Sequence, residues 1–79
     1  MTGKAQKHMS YIGEYYQVMK RMDGGWALVY DGCDRAGLTE YVRRLKPSEQ
    51  IDSKTPLRKL ASLMEPDYAL YSRGREILP

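Results

Sequence analysis

The chain has 79 residues, 42% hydrophobic and 29% charged, with a formal net charge of +3. That is the size of one small domain, burying about 63% of its unfolded surface, and it is too apolar for a disordered tail. One Cys and one His, Cys33 and His8, exclude an internal disulfide and a four-ligand structural zinc site, and no run approaches the ~20 apolar residues of a membrane span.

Residues 1–8 are polar and basic without periodicity and read as an arm, so residues 1–9 are set apart from a single domain over residues 10–79. No apolar leader core is present in the arm, which makes the cytoplasm the expected address. Residues 10–22 fit two patterns. As a helix, Ile12, Tyr15, Tyr16, Met19 and Met22 share a face, with Ser10 as N-cap and Gly24 as C-cap. As a strand, Ile12, Tyr16, Val18 and Met22 share one side and Tyr11, Tyr15 and Met19 the other. The downstream residues favour the strand, because Asp23, Gly24 and Gly25 separate it from the β-rich run Trp26, Ala27, Leu28, Val29, Tyr30, and an Asp-Gly pair between such runs is a hairpin signal. The expectation is a hairpin of residues 11–22 with residues 26–31.

Residues 31–34 then read as a turn. Beyond it the period changes to that of a helix over residues 35–46, with Leu38, Tyr41, Val42 and Leu45 on one stripe, Glu40, Arg43 and Arg44 outward, and Pro47 as the stop. Residues 48–54 form a polar connector. A second helix follows, with Thr55 as N-cap, Pro56 at its first position, Leu57, Leu60, Ala61 and Met64 on one face, and Pro66 as the stop. Tyr68, Leu70 and Ser72 alternate with Ala69 and Tyr71, as a third strand would, and Ile77 with Leu78 forms a terminal apolar hook. The fold class is α+β: a small single domain with a β-hairpin, two short helices and a C-terminal strand.

Catalytic chemistry lacks its usual parts. Nucleophilic catalysis needs an orienting base beside the nucleophile, and the only His lies in the arm, so a Cys33–His8 pair is set aside in favour of a thiol in a turn. Asp31 and Asp34 are too few for a calcium loop, and the glycines near Asp23 and Arg73 match neither phosphate-binding fingerprint. No catalytic residue, metal or cofactor is expected. Nucleic acid is the second choice: Lys20, Arg21, Arg43, Arg44, Lys46, Arg58, Lys59, Arg73 and Arg75 supply charge, and Tyr15, Tyr30 and Tyr71 on a sheet could stack bases. Acidic residues interrupt the basic ones along the whole chain, however, so a solvated surface explains most of that charge.

Seven Tyr, one Trp and five Met with no Phe fit protein recognition better, since these residue types and Arg are enriched in interface cores. The expected contact residues are Tyr11, Tyr15 and Met19 on the sheet face turned away from the helices, together with Trp26, and with Arg43 and Arg44 as a charged rim. In size and helix-on-hairpin layout, though in no motif, the chain resembles the small regulators and inhibitors encoded by bacteriophages and other mobile elements. That likeness implies stoichiometric, non-enzymatic binding to a larger protein or protein–nucleic acid complex. An open strand edge with a Tyr and Met face would also let two copies close a homodimer.

Overall fold

The computed structural model describes residues 15–79; residues 1–14, including Tyr11, His8, the arm and the first part of the expected first strand, lie outside the described residues. Strands β1 (Tyr16–Met22) and β2 (Gly25–Gly32) form the hairpin, with Met22 opposite Gly25 and a two-residue turn between them. Gly25 has φ +136°, a backbone conformation that disfavours side-chain-bearing residues. The strand pattern is therefore the one adopted over 16–22: Tyr16 and Val18 are buried while Gln17 and Met19 are only partly so, the period-2 burial of a sheet with one covered face.

Helix α1 (Arg35–Leu45) begins at Asp34, whose carboxylate accepts a 2.6 Å bond from the Gly37 amide. The residues expected only to make a turn thus divide into the end of β2 and a helix cap. Leu38 and Val42 are buried as the stripe predicts, and Thr39 joins them by donating its hydroxyl to the Arg35 carbonyl at 2.8 Å. Helix α2 (Leu57–Met64) buries Leu60, Ala61 and Met64. Its cap differs from expectation: Pro56 occupies the N-cap, and its carbonyl accepts from the Lys59 and Leu60 amides. Thr55 instead closes the preceding turn, its hydroxyl accepting from the Asp52 amide at 3.0 Å. Within the polar connector, Ile51 is buried in the core, and the Arg35 guanidinium donates to the Thr55 carbonyl, tying the first turn of α1 to the entrance of α2.

Strand β3 (Tyr68–Ser72) returns to pair antiparallel with β1, and a short β4 (Arg75–Glu76), which the sequence pattern does not reveal, completes a four-stranded antiparallel sheet of order β2-β1-β3-β4. The β3–β4 turn carries Gly74 at φ +81°. Both helices lie on one side of this sheet. Their buried residues Leu38, Val42, Leu60, Ala61 and Met64 meet Tyr16, Val18 and Leu70 in one core, with Ile77 packed against it and Leu78 65% exposed. Of the expected terminal hook only Ile77 holds.

Candidate partner-binding face

The register fixes which side chains share the uncovered side. Val18 faces the core, and so do its neighbours across the sheet, Tyr30 and Leu70. Alternation then sends Gln17, Met19 and Arg21 to the opposite side, together with their partners Asp31, Leu28 and Trp26 on β2 and Tyr71 and Ala69 on β3. Glu76 stands opposite Tyr71 at the β4 edge. Tyr15, one residue before β1, joins this side.

A β-bulge interrupts the alternation on β2. Val18 pairs with Tyr30 and Met19 with Leu28, which leaves Val29 as the extra residue. Leu28 and Val29 therefore both stand outside, 49% and 37% exposed, while Tyr30 turns back toward the helices. There its ring lies 5.1 Å from that of Tyr41, and its hydroxyl lies 2.6 Å from where a Cβ on Gly37 would stand. Burial first, and then the carboxylates of Asp34 and Asp31, push the Tyr30 hydroxyl above its ordinary pKa; Tyr41 is raised chiefly by burial. Tyr30 belongs to the covered layer and is not a stacking platform.

On the open side, Met19, Leu28, Tyr71, Gln17 and Gly74 line a shallow depression of about 330 Å³. The Trp26 ring, 46% exposed, extends it, with the Arg21 guanidinium 5.2 Å above the ring, a cation–π contact between partners across the hairpin. The Tyr15 hydroxyl is raised above its ordinary pKa, first by hydrogen bonding of its protonated form with the Asp31 carboxylate and then by burial. Among the described strand residues, the charges on this side are Arg21 against Asp31 and Glu76, one cation against two carboxylates.

Tyr15 and Met19 thus share the uncovered side as expected, and Trp26, Leu28, Tyr71 and Arg21 stand there with them. Counting back from the two-residue turn pairs Arg21 with Trp26 and Met19 with Leu28, so the hairpin register carried that signal. Tyr71 needed the β1–β3 pairing, which no local pattern specifies. The expected rim does not form: Arg43 and Arg44 are exposed on α1, across the sheet from this face. Arg44 pairs with Glu40 at 3.4 Å, a solvent-exposed contact of small worth, and Arg43 borders a polar cleft with Glu49, Gln50 and Asp52. A helix turns its charged side to water for its own stability, and α1 does so on the far side of the molecule.

Among the described residues no group of three or more His, Cys, Asp or Glu could hold a metal ion, and no helix is long and apolar enough to cross a membrane. Cys33 is a free, exposed thiol. No family model, curated protein or solved structure matches the chain.

Proposed function

We propose that the chain is a small non-enzymatic binding protein that docks the open face of its sheet on a larger protein or protein–nucleic acid complex, regulating or inhibiting it in fixed stoichiometry. The observation that supports this reading is the exposure of Trp26 and Leu28, 46% and 49%, beside Met19 and Tyr71 on a face that no described element covers. Contiguous apolar side chains of this kind mark interaction surfaces, and Trp and Tyr are the residues around which binding energy concentrates. A cytoplasmic address belongs to the same reading, since a lone exposed thiol is at home in a reducing compartment.

The test is affinity capture with the full chain and with a Trp26→Ala, Leu28→Ala variant whose circular dichroism is unchanged. The expected result is a partner retained by the first and depleted about 100-fold or more by the second, as loss of two central contacts costs. Arg43→Ala with Arg44→Ala should leave capture intact. Equal capture by the sheet variant, or loss with the helix variant, would place the binding surface elsewhere.

One observation favours a second reading, single-stranded nucleic acid: Tyr15, Trp26 and Tyr71 share one antiparallel face with Arg21, and such rings can stack bases. Among the described strand residues, two carboxylates against one cation weigh against it, because phosphate binding draws its affinity from positive charge. Trp26 is the only tryptophan, so its fluorescence reports directly on this face. Quenching by oligonucleotide at low salt that fades steeply with added salt would favour nucleic acid; no quenching would leave the protein partner as the reading.

A further inference from the structure

The long outer strand of the sheet carries a second, separable feature. β2 ends the strand order, so one flank of its backbone faces no described strand. Its eight residues include no Lys and no Pro, the residues that commonly blunt such an edge, and Asp31 is its sole charge. What it does have is the bulge. By the register, positions 25 through 32 face, in order, in, out, in, out, out, in, out, in, where "in" is the helix side. An ordinary strand alternates strictly and cannot match two consecutive outward residues. The sequence of facings in β2, however, reads the same from either end.

We propose that the chain forms a two-fold dimer in which β2 pairs antiparallel with β2 of a second copy, Leu28 opposite Val29 and Trp26 opposite Asp31 of that copy. A two-fold axis normal to the sheet keeps outward residues outward, so paired positions must share a facing. The register centred between Leu28 and Val29 satisfies this at all eight positions: Gly25 with Gly32, Trp26 with Asp31, Ala27 with Tyr30, Leu28 with Val29. Both strands carry the same extra residue at the axis, so the bulge that would misalign a regular strand is matched by itself. That selects a second copy over an unrelated strand.

Charge agrees with the register. Asp31 of the second copy arrives beside Trp26, over which Arg21 already lies at 5.2 Å, and symmetry makes the contact twice. The carboxylate thus meets a guanidinium already held in place by the ring. The seam is about 27 Å long at the rise of an antiparallel strand and joins two sheets into one of eight strands with a continuous open face. A contact of this length is smaller than a standard interface, so the expected dissociation constant is micromolar.

The dimer shares Trp26 and Leu28 with the open face but needs no partner on that face, and it is tested on the purified full chain with no other protein present. Sedimentation equilibrium should show a monomer–dimer transition below about 0.5 mM; a monomer throughout would overturn the proposal. Val29→Lys places two ammonium groups near the axis and should weaken the dimer at least 10-fold while leaving the circular dichroism unchanged, because Val29 stands exposed outside the core cluster. A dimer untouched by this change would assemble elsewhere and would equally overturn it. Register is read separately in a Cys33→Ser background: mixing Leu28→Cys chains with Val29→Cys chains should yield a crossed disulfide dimer faster than either chain alone. Faster linkage of Leu28→Cys chains with themselves would refute the register.

Discussion

The two sides of one sheet are built from alternate residues of the same strands, and they differ less in composition than in what stands over them. Tyr16, Val18 and Leu70 on the inner side are at most 1% exposed, beneath Leu38, Val42, Leu60 and Met64. On the outer side Trp26 and Leu28 remain about half exposed, and the Arg21 guanidinium lies over the Trp26 ring. The inner side stabilises the fold through removal of apolar surface from water. On the outer side, comparable apolar surface is left in water and adds little to folding, which is the expected arrangement when its burial is deferred to a second molecule.

Leucines on the two sides should show the contrast most sharply. Leu70→Ala opens a cavity among packed residues and should cost about 2–5 kcal/mol, enough to unfold much of a domain this small at room temperature. Leu28→Ala should change stability by at most about 0.5 kcal/mol. Urea denaturation followed by circular dichroism measures both; equal costs would mean that the outer side is covered.

Intermediate in size is the effect at the seam between β2 and α1. A Cβ on Gly32 would overlap the Tyr30 hydroxyl and come within 2.9 Å of its Cζ, and the ring cannot retreat because Tyr41 backs it. Gly32→Ala should destabilise by about 1–3 kcal/mol. Adding Tyr30→Phe removes the hydroxyl but not the ring carbon, so it should recover part of the loss in the same denaturation experiment. Full recovery would show that the hydroxyl alone sets the approach.

The smallest expected effect is alkaline. Tyr30, Tyr41 and Tyr15 are all raised above the ordinary value of 10.0, so the folded chain holds these protons more tightly than the unfolded one. Their contribution to stability is complete below pH 10 and falls as pH rises through the folded values. Tyrosinate absorbance should therefore develop late, with accompanying loss of stability. Asp31→Asn should bring Tyr15 back toward 10 and leave Tyr41 unchanged, since Tyr15 owes its shift first to the Asp31 carboxylate and Tyr41 owes its own first to burial; a shift in Tyr41 instead would contradict that division.

The parts of the fold governed by short-range chemistry are legible in the sequence. Asp23 and Gly24 announce the hairpin, the stripes of Leu38 with Val42 and of Leu60 with Met64 announce two helices, and the alternation about Leu70 announces the returning strand. What is not legible there depends on partners distant along the chain. By simple alternation Leu28 and Tyr30 share a side, yet the bulge at Val29 separates them, and nothing in those residue types marks it. Ile51, an isolated apolar residue among polar ones, has no period from which burial could be inferred. Thr55 followed by Pro56 looks like a capped start, but Asp52 competes for the hydroxyl and wins it. Arg43 and Arg44 belong to the outward side of their helix, as the stripe says; only the docking side of α1 on the sheet reveals that they stand far from Tyr15 and Met19.

The central place of β1 between β2 and β3 has a consequence for synthesis. Tyr16 pairs with Gly32 on one flank and with Ser72 on the other, so one flank is satisfied within the hairpin while the other waits for the last quarter of the chain. At ribosomal speeds of about 5–20 residues per second that wait lasts roughly 2–8 s, during which the nascent hairpin has no completed sheet on which the helices can settle. β3 is thus the keystone, and a truncation just before Tyr68 should leave a chain that chaperones hold and proteases clear.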